Sequence, residues 1–306
     1  MAEEMESRME TRPTVGIAGL GRMGQPIAAN ILKAGFPTIV WNRTRDKATD
    51  LLERGAVWTE NPAAVATVAD IVLTSLADPA AVESVYFAPD GLLDRASSGT
   101  ILVDLSTGSP AMARRIAIAA GERGATFLDA PVAGSIKAAT DGQLGIMVGG
   151  DKSAFDRCEA VFAAIGKAAF YLGESGSGAT MKLVSNAILA TMVQALAEGV
   201  ALGEKAGLDA ADIFTVLGAS SAAAPVVAAK AAAVTERAYL PAAFTLALMQ
   251  KDLWLVLGLA NELQVPMPAT AIAHDMVLAA NATGKSGLDF SAVALLMEEL
   301  AGARES

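Results

Sequence analysis

The apolar positions of this chain change period part-way along it. Up to about residue 174, short apolar runs alternate with stretches in which apolar residues recur every three or four positions. From Gly176 onward only the second pattern is found. The short runs predict buried strands at Thr14–Ala18, Thr38–Asn42, Ile71–Leu76, Thr100–Ser106, Phe127–Val132, Leu144–Val148 and Ala168–Leu172. After Gly176 the longer period predicts helices near 178–206, 209–217, 225–232, 244–263, 267–281 and 290–300, with Asp209 and Asp289 as N-terminal signals. Alternating strands and helices followed by helices alone read as an α/β fold, a Rossmann-type doubly wound sheet followed by an all-α C-terminal domain. The expected division is a disordered tail at 1–12, the sheet domain at 13–174 and the helical domain at 175–306.

The first run leads into Gly19-Leu20-Gly21-Arg22-Met23-Gly24, and a helical pattern follows through Ile27 and Ile31 to Gly35. Gly19 permits a tight turn, Gly21 lets backbone approach a pyrophosphate, and Gly24 lets helix and strand pack closely. The helix N-terminus then faces phosphates with its N–H groups and positive dipole end. A glycine fingerprint alone is weak evidence, but this one stands between a first strand and a helix.

The second run ends in Asn42-Arg43-Thr44. An NAD site keeps an acidic residue here for the ribose 2′-hydroxyl. A carboxylate would repel a 2′-phosphate, whereas Arg43 can pair with it and Asn42 and Thr44 can hydrogen-bond it. The expected cofactor is therefore NADP. The plainer reading, that Arg43 and Arg45 are surface charges at a helix start, is weakened because cations are unfavourable there.

Lys182 and Asn186 stand four positions apart in Gly176–Asn186 and share a helix face. Apolar residues surround them, and desolvation disfavours a buried ammonium. Two readings remain from these residues. Either Lys182 snorkels to the surface while Asn186 satisfies a neighbouring helix, or the ammonium donates a proton to a carbonyl oxygen as hydride reaches the carbon. The dinucleotide fingerprint upstream favours the second.

Composition narrows the field. The net charge of −10 gives no basic field for nucleic acid. Mean hydropathy is +0.43, yet the greasiest stretch, Ile188–Gly203, is broken by Gln194 and Glu198, short of the ~18 uninterrupted apolar residues of a spanning helix. No membrane partner is expected. The single cysteine, Cys158, allows no intrachain disulfide and no cysteine metal cluster, and no metal site is expected. The single histidine, His274, lacks the Gly-x-Ser-x-Gly elbow of a serine hydrolase. The charged opening, Met1–Arg12, is no secretory signal, so the cytoplasm is the expected compartment.

Four motifs in one order carry a resemblance. They are the Gly19–Gly24 turn, Asp129-Ala130-Pro131-Val132-Ala133-Gly134-Ser135, Gly178 through Lys182 to Asn186, and Lys251-Asp252-Leu253. With them the chain resembles the β-hydroxyacid dehydrogenase family, which includes 3-hydroxyisobutyrate dehydrogenases and glyoxylate/succinic semialdehyde reductases. The resemblance implies Lys182 as catalytic acid/base and Asn186 as a substrate holder. It implies a carboxylate cradle at Ala133, Gly134 and Ser135, with Thr107 beside substrate or nicotinamide and Phe244 lining the cleft. Cofactor contacts are expected from Gly19, Gly21, Arg22, Met23, Gly24, Asn42, Arg43, Thr44, Leu76, Thr107 and Lys251.

The implied activity is NADPH-dependent reduction of a small oxo-acid to a hydroxy acid, of the succinic semialdehyde or glyoxylate type. A 3-hydroxyisobutyrate or tartronate semialdehyde type is the alternative. Imine reductases are similar overall, but generally carry another residue at the lysine position, and a non-catalytic NADP-binding scaffold is the remaining class. The family commonly has serine where this chain has Ala133, which bears on substrate identity. The alanine-rich helices lead to the expectation of a homodimer or homotetramer.

Overall fold

The computed structural model describes residues 12–302. The expected tail therefore lies, apart from Arg12, outside the described residues. The chain forms two compact units that divide after Lys182, within the helix Ser177–Lys205 rather than at its start.

Among the described residues the first unit is built on nine strands: β1 (Val15–Ala18), β2 (Thr38–Trp41), β3 (Val57–Trp58), β4 (Ile71–Thr74), β5 (Ile101–Asp104), β6 (Thr126–Asp129), β7 (Val132–Ala133), β8 (Leu144–Gly150) and β9 (Gly166–Tyr171). Their order is β3-β2-β1-β4-β5-β6-β8-β7, with β9 also on β8. Strands β3 through β6 are parallel, as doubly wound sheets require, and β8 runs antiparallel to β6 and β7. The expected run Phe127–Val132 breaks at Pro131, which has no N–H for a ladder. Its two pieces become β6 and β7, both pairing with β8. The two-residue edge strand β3 was not expected; it is too short to carry a period.

Alternate residues of each strand feed two cores. Ile17, Leu73, Val103 and Leu128 pack with Ile27 and Ile31 of helix Gly24–Lys33 and with Val161 and Phe162. Val72, Leu102 and Phe127 face Val65, Val85, Tyr86 and Ile116 on the other side. Cys158 is fully buried in the first core, and burial pushes its thiol up to about 12. Several helices start on one device, a capping side chain followed by proline. Asn61, Asp78 and Ser109 accept the N–H of Ala64, Ala81 and Met112, ahead of Pro62, Pro79 and Pro110.

The second unit is helical, with helices Ala210–Gly218, Pro225–Thr235, Leu246–Glu262, Pro268–Ala280 and Val293–Ala301 after the long one. Only an isolated bridge, Thr245 with Asp289, interrupts the helical pattern among the described residues. Asp209 and Asp289 cap Ala211 and Ser291 as the sequence predicts. Helix Ser177–Lys205 is long and apolar enough by composition to cross a membrane, but half of its most apolar window is buried in the protein.

Asp289 gathers the end of this unit. It pairs with Lys230 at 2.8 Å, both side chains being largely buried, and accepts N–H bonds from Ala243 and Ser291. Lys230 also lies 4.6 Å over the Phe290 ring. Burial pushes the Asp289 carboxyl up, but hydrogen bonds from Lys230 and Ser291 and the Lys230 charge outweigh it, and it lies below the ordinary carboxylate value. A carboxylate lowered by folding stabilises the fold above its unfolded value of roughly 3.9, and that contribution is lost as pH falls through the folded value. Asp289→Asn, which leaves Lys230 without its counter-charge, is expected to destabilise the chain by about 3–5 kcal/mol near neutral pH. It should also flatten the loss of Tm at acid pH that the lowered Asp289 carboxyl leads one to expect of the parent. Thermal scans from neutral to acid pH check both; an equal Tm deficit across the range counts against the pair.

Candidate active site

The parallel strands stop on one level. Ala18 pairs with Trp41 and Thr74, Thr74 with Asp104, and Asp104 with Asp129. The ladder runs one step further. Gly19 donates to the Trp41 carbonyl, Ser75 to Ala18, Leu105 to Thr74 and Ala130 to Asp104. The loops that carry the expected site residues of this unit therefore leave from a single edge, outside the carboxyl ends of the strands.

The glycine turn shows three different reasons for glycine. Gly19 has φ +104°, and a Cβ there would lie 2.4 Å from the Ser75 carbonyl oxygen. At Gly24 a Cβ would lie 1.9 Å from the Gly19 carbonyl oxygen. At Gly21 a Cβ would meet nothing within 4 Å, so the protein's own packing does not require glycine there. The backbone there is open to a group from outside the chain, and a dinucleotide pyrophosphate fits that expectation. Helix Gly24–Lys33 follows with no side-chain cap and no acidic residue in its first turn, which keeps its positive end available to an anion. Arg22 is exposed and Met23 half-buried.

Asn42 serves the turn directly. Its Oδ1 accepts the Leu20 N–H at 2.9 Å and its Nδ2 donates to the Thr44 carbonyl at 2.8 Å. The amide expected on a 2′-phosphate is thus engaged in holding the glycine turn, while Arg43 and Thr44 are exposed. Arg45 lies 5.5 Å over the Trp58 ring.

Leu76 and the loop of Thr107 are tied to one another. The Leu76 N–H donates to Ser106 Oγ at 2.8 Å, and Ser106 donates its own N–H to Asp104 Oδ1. Thr74 Oγ1 donates to the same oxygen and lies 3.0 Å from the Tyr86 hydroxyl. Burial drives the Asp104 carboxyl above its ordinary value, with its register partner Asp129 adding to it, and burial likewise raises Tyr86.

The expected carboxylate cradle is a bend. Ala133 is half-buried on β7, and Gly134 has φ +144° with Leu144 and Ala138 packed around it. Ser135 caps the short helix Ile136–Thr140 by accepting the Ala138 N–H at 3.2 Å. A hydroxyl that accepts still has its proton to donate.

Lys182 is half-buried near the start of its helix. In the second unit, Asn186 is buried and donates to Asp252 Oδ2 at 2.6 Å, while Lys251 Nζ lies 2.9 Å from Asp252 Oδ1. Asp252 therefore joins two expected site residues. Asp252 stands in the Lys251-Asp252-Leu253 motif without a site role of its own, although its spacing of three from Met249 and Leu255 places it on the buried face of that helix. Phe244 packs edge-to-face on Phe290 at 5.8 Å and is not joined to that trio by any of these bonds. Among the described residues, no three His, Cys, Asp or Glu side chains are grouped to hold a metal ion.

The glycines separate binding from folding. Gly21→Ala should retain the parental Tm and lose affinity for the nicotinamide dinucleotide, because its methyl enters space the protein leaves open. Gly24→Ala should lose both, because its methyl meets backbone. Thermal scans and fluorescence titration with NADPH check the pair; equal Tm losses would contradict the assignment of Gly21.

Comparison with known proteins agrees with this geometry. Residues 14–173 match the NAD-binding domain of 6-phosphogluconate dehydrogenase, and residues 176–297 match the NAD-binding domain of NADP-dependent 3-hydroxyisobutyrate dehydrogenase. Glyoxylate/succinic semialdehyde reductase 1 of Arabidopsis thaliana is 39% identical over 91% of this chain and 96% of its own length. The 2-(hydroxymethyl)glutarate dehydrogenase of Eubacterium barkeri is 35% identical over 96% of this chain and 98% of its own. Among solved structures, 3-hydroxyisobutyrate dehydrogenase from Mycobacterium tuberculosis superposes with TM-score 0.86 at 30% identity, covering 94% of this chain and 99% of that one. With these matches over both halves, the chain belongs to the β-hydroxyacid dehydrogenase family of NAD(P)-dependent oxidoreductases.

Proposed function

We propose that the chain uses NADPH to reduce the aldehyde or ketone carbon of a small oxo-acid, of the glyoxylate or succinic semialdehyde class. The observation that carries the reading is Lys182, set half-buried on a helix whose start is bonded to the same strand edge that carries the glycine turn.

The nicotinamide cofactor supplies the hydride when bound. The turn Gly19–Met23 and the uncapped N–H groups of helix Gly24–Lys33 hold its pyrophosphate. Arg43 pairs with the 2′-phosphate, and Asn42 brings no negative charge to that corner. Leu76, Thr107 and Lys251 complete the cofactor contacts. Backbone N–H groups at Ala133 and Gly134, with the Ser135 hydroxyl, orient the substrate carboxylate. Lys182 Nζ gives its proton to the substrate oxygen as negative charge grows there; in the oxidising direction it removes the hydroxyl proton. Asn186, its amide nitrogen committed to Asp252, offers its carbonyl oxygen as an acceptor one turn further along. Ala133 lacks the hydroxyl its relatives commonly carry, a bond to a charged group worth about 1.5–3 kcal/mol. That loss favours longer acids, in which other contacts share the binding.

Lys182→Ala should lose several orders of magnitude in turnover while binding NADPH as the parent does, and Arg43→Ala should raise KM for NADPH far more than for NADH. Assays with succinic semialdehyde and glyoxylate check both. Near-parental turnover of the lysine variant, or turnover of a cyclic imine with none of either oxo-acid, would overturn the reading.

A second copy of the chain is the partner that fits the helical unit. Val184, Ile188, Met192 and Leu202 are 45, 55, 36 and 73% exposed and recur at helical spacing on one helix, an apolar stripe of the kind that marks an interface. Light scattering should give a dimer or tetramer of the 31.1 kDa chain, and Ile188→Glu should shift it toward monomer; a monomeric parent would refute this.

A further inference from the structure

We infer that Asp129 is a positioning residue for Lys182, acting through the N-terminus of the helix that carries the lysine. The inference rests on the reading of Lys182 as proton donor. Asp129 is the last residue of β6 and is buried at 3% exposure. In the sequence it opens the Asp129–Ser135 motif. In the structure its two oxygens span the helix start, with Oδ1 accepting the Gly176 N–H at 2.7 Å and Oδ2 the Ala179 N–H at 2.8 Å.

Those N–H groups are among the few at a helix N-terminus that no helical carbonyl reaches. A carboxylate there meets both the hydrogen bonds and the positive dipole end. The contact is close because side chains are missing around it. A Cβ on Gly178 would lie 2.3 Å from the Met147 carbonyl oxygen and 2.4 Å from that of Asp129. A Cβ on Gly149 would lie 2.8 Å from Asp129 Oδ1. Gly176 has φ +97°, and a Cβ there would crowd Arg114 and Pro110. The helix start is keyed to the ends of β6 and β8 with no slack.

Lys182 follows Gly178 by four positions, so it stands on the same helix face, about 6 Å further along the axis. Where Gly178 seats, Lys182 is placed. Asp104, the register partner of Asp129, holds Thr74 and Ser106 instead and makes no bond to this helix. The two neighbouring carboxylates thus divide the strand edge: Asp104 fixes the Leu76 and Ser106 loops, Asp129 fixes the lysine.

The test uses the full chain with Asp129→Asn, which keeps the shape but turns an amide N–H₂ toward one of the two N–H donors. Deuterium uptake over residues 176–182 should rise while β1 and β4 exchange as in the parent. The Kd for NADPH should stay at the parental value, since the glycine turn is untouched, and kcat per NADPH-binding site should fall on the order of 10- to 100-fold. The isotope effect on kcat with NADPH deuterated at the transferred position should increase, because hydride transfer without a well-placed proton donor is slower and limits turnover more fully. Gly178→Ala should reproduce this pattern by lifting the helix off the strand ends. Unchanged exchange at 176–182, or a loss of kcat matched by a loss of NADPH-binding sites and faster exchange throughout, would overturn the inference. Retention of turnover by Lys182→Ala would instead remove the role of Lys182 itself, leaving the exchange result to report on the clamp alone.

Discussion

The common level at which β1, β4, β5 and β6 end is the constraint on which the first unit depends. It comes from an in-register parallel ladder that continues one hydrogen bond past each strand. Register alone would deliver four loops to one edge without fixing any of them. The loops after β1 and β4, and the start of the lysine helix, are each then held by a side-chain oxygen that takes a backbone N–H. Asn42 takes that of Leu20, Ser106 that of Leu76, and Asp129 those of Gly176 and Ala179. Loops carry buried polar groups that must be satisfied, and here the groups that satisfy them also set the spacing between the glycine turn, the Leu76 loop and the helix of Lys182.

The helical unit applies the same logic with charge. Asp252 holds Asn186 and Lys251 together, and Asp289 holds Lys230 against the segment that carries Phe244. Both are carboxylates placed among apolar helices, where an unmatched charge is costly. Each is matched by a lysine and by donors from a distant part of the chain, and so sets which helices meet.

Much of this was legible in the residues. The strand runs were visible because parallel strands are buried on both faces and read as unbroken apolar stretches. The glycine turn was visible because positive φ and backbone contact exclude other residues at Gly19 and Gly24. Helix starts at Asp209 and Asp289 declared themselves through capping. What escaped was every bond made between distant segments. Asn42 reaches Leu20 across 22 positions, Asp129 reaches Gly176 across 47 and Asn186 reaches Asp252 across 66. Local pattern shows that a polar residue is present; only the fold shows which backbone group it meets. The break at Pro131 was local and readable, since a proline between two apolar pairs cannot complete a ladder.

Cys158 has a consequence of a different kind. It is the one sulfhydryl in the sequence, sealed in the core beneath the sheet with its proton held up to about 12. Thiolate is the species that oxidants and disulfides attack, and almost none exists here. In the folded chain Cys158 therefore acts as an inert packing group and not as a site for a covalent cross-link.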